Sequence, residues 1–148
     1  MITPSTIAPM EILLVEDGLT DARMTIFAIR RSGVHHRLTL VRTIADAERF
    51  LRRQSIFSLA PKVNLLLLDV MLPDGCGLQL LRRLDDTLLE NDEVTTVVLT
   101  ASDDPDLRDQ CLQAGAIDFL RKPVQEKDFM RVVRDHKRLM VDADPVLT

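Results

Sequence analysis

Apolar residues along the chain fall into short runs that alternate with segments of helical periodicity. One run contains four consecutive leucines and ends at Asp69, which is typical of a central strand buried on both faces. Strands are predicted over Met10–Glu16, Arg37–Val41, Val63–Asp69, Thr95–Thr100 and Ala116–Leu120. The alternation of these strands with helices predicts an α/β fold, a five-stranded parallel sheet with helices on both faces.

Helices are predicted from the spacing of apolar residues over Asp21–Ser32, Ile44–Arg53, Leu78–Asp85, Pro105–Ala114 and Gln125–Met140. Thr20 is the predicted N-cap of the first helix, and Gly33 is its predicted stop. In the last helix the residues expected to face the sheet are Phe129, Val132, Val133 and His136. We expect this histidine to be a packed residue rather than a metal ligand.

The 148 residues suit one domain, predicted over residues 10–141, with a loose leader over residues 1–9 and a polar tail over residues 142–148. Because the chain ends with the fifth α/β unit, we expect no room for an effector domain. Cys76 and Cys111 are too few for a disulfide framework or an all-cysteine metal site.

Charge and hydropathy narrow the class of partner. The net charge of −4 argues against nucleic acid as a partner. No apolar run approaches the roughly 18 residues of a membrane span, and the first residues lack the basic region of a signal peptide. We therefore expect a cytoplasmic protein with no membrane partner.

Polar side chains close successive predicted strands at the same end. Glu16 and Asp17 close the first strand, Asp69 the third and Thr100 the fourth, and Lys122 follows the fifth. The carboxyl ends of parallel strands border the crevice in which open α/β sheets bind ligands. Clustered carboxylates stay ionised only beside a cation, and hard oxygen ligands of this kind suit Mg²⁺. With Lys122 and Thr100 as donors to phosphoryl oxygens, the set predicts phosphoryl transfer onto a carboxylate.

Each of these features has a structural explanation when it is taken alone. An acid at a strand end more often forms a turn or caps a helix, and a Lys-Pro pair after a strand is usually a turn. The joint occurrence of the residues, each at the end of its own strand, is what favours a functional site.

In these residues the chain resembles the receiver domains of two-component response regulators. The resemblance covers residues 10–140 and rests on Leu14–Asp17, Leu67–Pro73 with Gly75 and Gly77, Val98–Ala101, Ala114–Ala116 and Phe119–Pro123. It implies a flavodoxin-like (βα)5 fold and a Mg²⁺-dependent transfer of a phosphoryl group from a histidine kinase onto Asp69. It also implies a signalling module, rather than an enzyme, whose only chemistry is its own phosphorylation and dephosphorylation.

The resemblance further implies a role for each site residue. The Mg²⁺ ligands that it implies are the backbone carbonyl of Met71 and the carboxylates of Glu16, Asp17 and Asp69. Thr100 and Lys122 would contact the phosphoryl oxygens, and Phe119 would act with Thr100 as the aromatic switch residue. The fourth helix, fifth strand and fifth helix would form the readout surface, and the Lys122–Pro123 bond is expected to be cis.

Within this family the chain is more similar to single-domain regulators that partner phytochrome histidine kinases, in Phe50–Gln54, Ala60–Pro61 and Phe119–Pro123. The sequence departs from the common pattern at Gly18 and Cys76, neither of which is a phosphorylation residue.

The sequence leaves two alternative functions, a constitutive docking module and a phosphatase, and it also predicts a homodimer. A constitutive docking module would not need phosphate, and the complete set of site residues argues against it. A phosphatase on a similar sheet generally carries an Asp-x-Asp pair, which is missing at both Asp17 and Asp69. A homodimer through the last helix and the tail is predicted because one inward face does not explain the apolar residues Met130, Leu139, Met140, Val141, Val146 and Leu147.

Overall fold

The structure is a computed structural model that describes residues 8–87 and 94–141. In chain order its strands are β1 (Met10–Val15), β2 (His36–Val41), β3 (Leu65–Asp69), β4 (Met71–Leu72), β5 (Gly75–Cys76), β6 (Thr95–Thr100) and β7 (Asp118–Arg121). Its α-helices are α1 (Leu19–Arg31), α2 (Ile44–Arg52), α3 (Gly77–Thr87), α4 (Pro105–Gln113), α5 (Glu126–Asp135) and α6 (Arg138–Val141). A 3-10 turn occupies Ser55–Phe57.

Five of the strands form one parallel sheet in the order β2-β1-β3-β6-β7, so the predicted fold class is confirmed. The chain leaves β1 towards one edge of the sheet and returns at β3 on the other side of β1. Ligands of open α/β sheets bind outside the carboxyl ends of the strands at such a reversal. The fold therefore places a crevice beyond Val15 and Asp69.

The hydrophobic core has two layers, because successive side chains of a strand point to opposite faces of the sheet. In β3, Leu66 and Leu68 pack in the layer shared with α2, α3 and α4, whereas Leu65 and Leu67 pack in the layer shared with α1 and α5. All four leucines are fully buried, which confirms the prediction of a central strand covered on both faces. No helix within residues 8–87 and 94–141 is long and apolar enough to cross a membrane.

The first helix begins earlier than the sequence predicts, so the prediction of Thr20 as its N-cap is wrong. The N-cap is Gly18, whose backbone is extended and whose carbonyl accepts a hydrogen bond from the Ala22 N–H group at 2.9 Å. The backbone of Gly18 alone therefore starts the helix, and Thr20 lies within the first turn.

The last helix is broken at His136 rather than continuous to Met140 as the sequence predicts. The half-buried His136 ring bonds the Asp118 carboxylate through Nε2 at 2.7 Å. After the break, the Arg138 guanidinium donates to the Thr95 hydroxyl at 2.7 Å. These tertiary contacts outweigh continued helical bonding. Leu139, which the sequence predicts to lie at a homodimer interface, is instead buried in the core beside α1 and α5.

A small hairpin of β4 and β5, which the sequence does not reveal, follows β3 directly. The Asp74 carboxylate in its turn accepts hydrogen bonds from the N–H groups of Ile44 and Ala45 at 2.9 and 3.1 Å. These groups lie at the N-terminus of α2, where a negative charge is favourable. The hairpin, and with it the backbone of Met71, is thereby attached to α2.

Gly77 allows α3 to begin directly beside the end of β3. Its N–H group donates to the Val70 carbonyl at 2.8 Å. A Cβ atom on Gly77 would lie 2.6 Å from the backbone oxygen of Asp69, closer than real Cβ contacts allow. The position of Asp69 therefore depends on the absence of a side chain at residue 77.

The substitution Gly77→Ala should lower the free energy of unfolding by about 1–3 kcal/mol, because the backbone of β3 must shift to admit the methyl group. Urea denaturation measures this change. The matched control is Gln79→Ala, an exposed position on the same helix, which should stay within about 0.5 kcal/mol of the parent chain. Equal stability of the two variants would contradict the close approach.

Candidate functional site

The ammonium group of Lys122 is the centre of the crevice. It donates to Asp69 Oδ2 at 2.9 Å, to Glu16 Oε1 at 3.1 Å and to Asp21 Oδ2 at 3.2 Å. The backbone N–H group of Lys122 donates to the Thr100 carbonyl at 2.9 Å, which fixes the lysine at the end of β6. We call Lys122, Glu16, Asp21 and Asp69 the Lys122 cluster.

The fold explains why these side chains meet. Glu16 directly follows β1, Asp69 ends β3, and Lys122 directly follows β7, so all three lie at the carboxyl edge of the parallel sheet. Asp21 enters the cluster from the first turn of α1, the helix that follows β1. The Lys122–Pro123 peptide bond is cis, as the resemblance implies.

Burial divides the Lys122 cluster into an inner and an outer part. The side chains of Glu16 and Asp69 are 2% and 4% exposed, and that of Lys122 is 13% exposed. The side chain of Asp21 is 42% exposed and forms the solvent-facing side of the cluster. Glu16, Asp69 and Lys122 therefore form a buried charged group whose members depend on one another for solvation.

The two buried acids titrate in opposite directions. Burial and the neighbouring Asp69 carboxylate raise the pKa of Glu16 from 4.5 to about 7, although Lys122 acts to lower it. Burial also disfavours ionisation of Asp69, yet hydrogen bonds from Glu16, the Met71 N–H group and Lys122 lower its pKa below 3.8. Asp69 is thus ionised at neutral pH, whereas Glu16 retains a proton for part of the time.

Lys122 remains charged in this environment. Burial opposes its charge, but hydrogen bonds and attraction from Asp69 and then Glu16 raise its pKa above the ordinary value of 10.5. The inner part of the cluster thus combines an ionised Asp69, a charged Lys122 and a Glu16 that titrates near neutral pH. The Met71 N–H group donates to Asp69 Oδ1 at 3.0 Å, so both oxygens of this carboxylate accept hydrogen bonds.

The side chains of two residues that the sequence places in the site, Asp17 and Thr100, form hydrogen bonds with groups outside the Lys122 cluster. Arg42 donates to the carbonyl and to Oδ1 of Asp17 at 3.0 and 3.3 Å, so the Asp17 side chain faces this arginine. The Thr100 hydroxyl accepts from the Ser102 N–H group at 3.0 Å, at the start of the loop after β6. Their roles as a metal ligand and a phosphoryl contact stay predictions.

Asp21 and Arg42 are contacts of the site that the sequence analysis does not identify. An acid in the first turn of a helix is ordinarily explained by the helix dipole, so Asp21 gave no separate signal. Arg42 follows β2, at the carboxyl edge shared with β1, and this adjacency is its only signal in the sequence.

Phe119 lies half-buried on β7, three residues before Lys122. The guanidinium carbon of Arg108, on α4, lies over the Phe119 ring at 4.7 Å from the ring centroid. The Phe119 N–H group donates to Asp118 Oδ1 at 2.7 Å, and its carbonyl accepts from Arg131 Nη2 at 3.1 Å. Hydrogen bonds therefore fix both the N–H group and the carbonyl of Phe119, whereas its ring contacts the Arg108 guanidinium.

The charges of the Lys122 cluster suit a divalent cation. Three carboxylates share a single ammonium group. Burial first, and then the neighbouring Asp69 carboxylate, raise the pKa of Glu16, so a further positive charge at this place would favour its ionised form. Carboxylate and carbonyl oxygens are the ligands that Mg²⁺ prefers. Within the described ranges no group of acidic, histidine or cysteine side chains is already arranged to hold a metal ion.

Comparison with known proteins identifies relatives of the chain. Residues 12–134 match the family described as response regulator receiver domain. Response regulator Rcp1 of Synechocystis sp. is 30% identical over 126 residues, which cover 85% of this chain and 85% of that protein.

Solved structures agree with this match. The bacteriophytochrome response regulator RtBRR superposes with a TM-score of 0.76 at 29% identity, covering 86% of this chain and 78% of that one. The receiver domain of a sensor histidine kinase from Pseudomonas aeruginosa PAO1 has a TM-score of 0.70 at 30% identity, covering 86% and 97%. That protein was solved with a magnesium ion coordinated in its active site cleft.

The raised pKa of Glu16 predicts how stability depends on pH in the absence of metal. Between 4.5 and about 7 the folded chain binds more protons than the unfolded chain, so the free energy of unfolding falls as the pH rises through this window. We expect a loss of about 1–3 kcal/mol, and Glu16→Gln should remove it. The lowered pKa of Asp69 acts in the opposite sense, but only at pH values below this window.

Urea denaturation at a series of pH values in the presence of EDTA measures this dependence. The control is Glu126→Gln, a half-exposed glutamate on α5, which should keep the slope of the parent chain. An unchanged slope in Glu16→Gln would show that another group carries the proton.

Proposed function

The chain belongs to the response regulator receiver family, and from that premise we propose that Asp69 accepts a phosphoryl group from a histidine kinase in a Mg²⁺-dependent reaction. The observation that carries this proposal is the buried contact of 2.9 Å between Asp69 Oδ2 and Lys122 Nζ. An ionised carboxylate beside a fixed ammonium group combines a nucleophile with a charge that stabilises the transferred group.

In the proposed reaction, Asp69 attacks the phosphorus of a phosphohistidine. A bond forms between a carboxylate oxygen and phosphorus while the bond from phosphorus to the histidine nitrogen breaks, and that nitrogen keeps the electron pair. The low pKa of Asp69 keeps the nucleophile ionised at neutral pH. The Met71 N–H group orients the carboxylate, so it enters the reaction already positioned.

The remaining residues of the site would neutralise the transferred group. Glu16, Asp17, Asp69 and the Met71 carbonyl would hold Mg²⁺, which when bound supplies positive charge to the phosphoryl oxygens. Lys122 would turn from its carboxylate partners towards these oxygens. The Thr100 hydroxyl would exchange its contact with Ser102 for a phosphoryl oxygen.

Phosphorylation would then change the surface formed by α4, β7 and α5. The group adds about −1.5 to −2 charge. Movement of Thr100 and of the loop after β6 would release the Phe119 ring from Arg108 and let it turn inward. Moving such an equilibrium from 1:99 to 99:1 takes about 5.5 kcal/mol, and charge-assisted hydrogen bonds contribute about 1.5–3 kcal/mol each.

We further propose a kinase of the phytochrome type, which the similarity to a bacteriophytochrome response regulator supports. The chain would act in the cytoplasm as a signalling module, with no chemistry beyond its own phosphorylation and dephosphorylation. Its output would pass through protein contact or through a further phosphoryl transfer. A phosphotransfer panel that includes phytochrome-type kinases would identify the donor.

A homodimer through the last helix and the tail also remains a proposal. Met130 on α5 is exposed, whereas the side chains of Met140 and Val141 and the whole tail lie outside what the structure describes. Because these apolar groups would be buried between two copies, removal of residues 141–148 should convert a dimer into a monomer. Size exclusion with light scattering measures the mass, and an unchanged mass would contradict a role for the tail.

The assignment of Asp69 predicts a single acyl phosphate. Incubation with acetyl phosphate and Mg²⁺ should give one hydroxylamine-labile phosphate on a Phos-tag gel, and Asp69→Asn should abolish it. Lys122→Ala should slow its formation by about a hundred-fold or more, because a preorganised charge is lost from the transition state.

The matched control is Asp109→Asn, an exposed acid on α4, which should be phosphorylated like the parent chain. Phosphate that appears equally in Asp69→Asn would contradict the assignment. Identical binding of a partner with and without a beryllofluoride mimic would instead favour a constitutive docking module.

A further inference from the structure

We propose that Asp21 is a positioning residue of the phosphoryl-transfer site, which holds Lys122 at the solvent-facing side and strengthens the binding of Mg²⁺. This inference rests on the proposed function of Asp69. It adds to the site an acid in the first turn of α1, which does not follow a strand of the sheet as Glu16 and Lys122 do.

The contact geometry gives Asp21 a defined place. A lysine ammonium has three N–H groups, and in the Lys122 cluster Asp69, Glu16 and Asp21 each accept a hydrogen bond from it. The bond to Asp21 is the longest, at 3.2 Å, and the Asp21 side chain is the most exposed of the three acceptors. It is therefore the bond that Lys122 exchanges most readily when a phosphoryl group arrives.

The ordinary explanation for an acid at this helix position does not account for the direction of Asp21. In α5, the acid at the same helix position, Asp128, accepts from the backbone N–H group of the N-cap residue Gln125 at 3.2 Å. In α1, the N-cap residue Gly18 donates its N–H group to Glu16 instead, also at 3.2 Å. The Asp21 carboxylate is consequently directed to Lys122 rather than to the helix end.

The position of Asp21 has two opposite electrostatic consequences. Its negative charge attracts a cation that enters the crevice, so it favours the binding of Mg²⁺. The same charge competes for Lys122 and repels an anionic phosphoryl donor, so it slows transfer once the metal site is filled. Both effects are moderate, because the carboxylate is 42% exposed and solvent screens it.

The substitution Asp21→Asn separates these effects, because it removes the charge and keeps the shape. Isothermal titration with Mg²⁺ should show a dissociation constant about two- to five-fold higher than that of the parent chain. At saturating Mg²⁺, phosphorylation by acetyl phosphate should become about two- to five-fold faster. Both differences should shrink in added salt.

Asp46→Asn is the matched control. Asp46 occupies the same position in the first turn of α2, its side chain is 45% exposed, and it forms an ion pair with Arg49 at 3.3 Å. Loss of the Asp46 charge affects the interaction with the helix dipole as much as loss of the Asp21 charge does. It should nevertheless change neither the dissociation constant for Mg²⁺ nor the rate of phosphorylation. Asp21→Glu, which retains the charge, should bind Mg²⁺ like the parent chain.

The inference is overturned if Asp21→Asn binds Mg²⁺ as Asp46→Asn does, or if its phosphorylation at saturating Mg²⁺ becomes slower. Failure of the proposed function gives a different result, because the parent chain would then gain no phosphate on Asp69. The experiment therefore distinguishes an incorrect role for Asp21 from an incorrect function for the site.

Discussion

The hydrogen bonds of one ammonium group, that of Lys122, make the carboxyl edge of the sheet stable as a charged site. Glu16 and Asp69 are almost fully buried and would repel each other without it. Removing one partner of a buried ion pair typically costs about 3–5 kcal/mol, because the other charge is left without solvation. The buried acids therefore need Lys122 at the same edge of the sheet, and the parallel register places it there. Val15 pairs with Leu68, Asp69 with Leu99, and Thr100 with Arg121, so the strand ends are level.

Strand β7 connects this buried charge to the molecular surface. Lys122 follows the strand directly, Arg121 forms an ion pair with Asp103 in the loop after β6, and Phe119 lies beneath Arg108 of α4. The backbone of Phe119 is bonded on both sides, so the strand itself is fixed and the side chains are the parts that can rearrange. In the proposed function, a change in the partners of Lys122 would therefore first affect the contacts of β7 with the loop after β6 and with α4.

The sequence is sufficient to predict that Glu16, Asp69 and Lys122 approach one another, because each follows an apolar run and parallel strands bring their carboxyl ends to one edge. The direction of the Asp17 and Thr100 side chains is not predictable in this way. Each has a nearby competing partner, Arg42 or the Ser102 N–H group, and the choice depends on tertiary contacts. Likewise, the apolar spacing of the last helix does not reveal its break at His136, since hydrogen bonds to distant strands cause it.

The charge balance of the crevice explains why a divalent cation belongs to the proposed function rather than being an optional addition. Before any phosphoryl group arrives, three carboxylates already share one ammonium group, and burial together with the Asp69 carboxylate raises the pKa of Glu16. A phosphoryl group adds about −1.5 to −2 charge to the same space. Lys122 alone cannot balance both, since each bond that it makes to a phosphoryl oxygen removes one from a carboxylate. A cation held by the acids would neutralise part of this charge and would leave Lys122 free to contact the transferred group, so in the proposed function metal binding would favour phosphorylation.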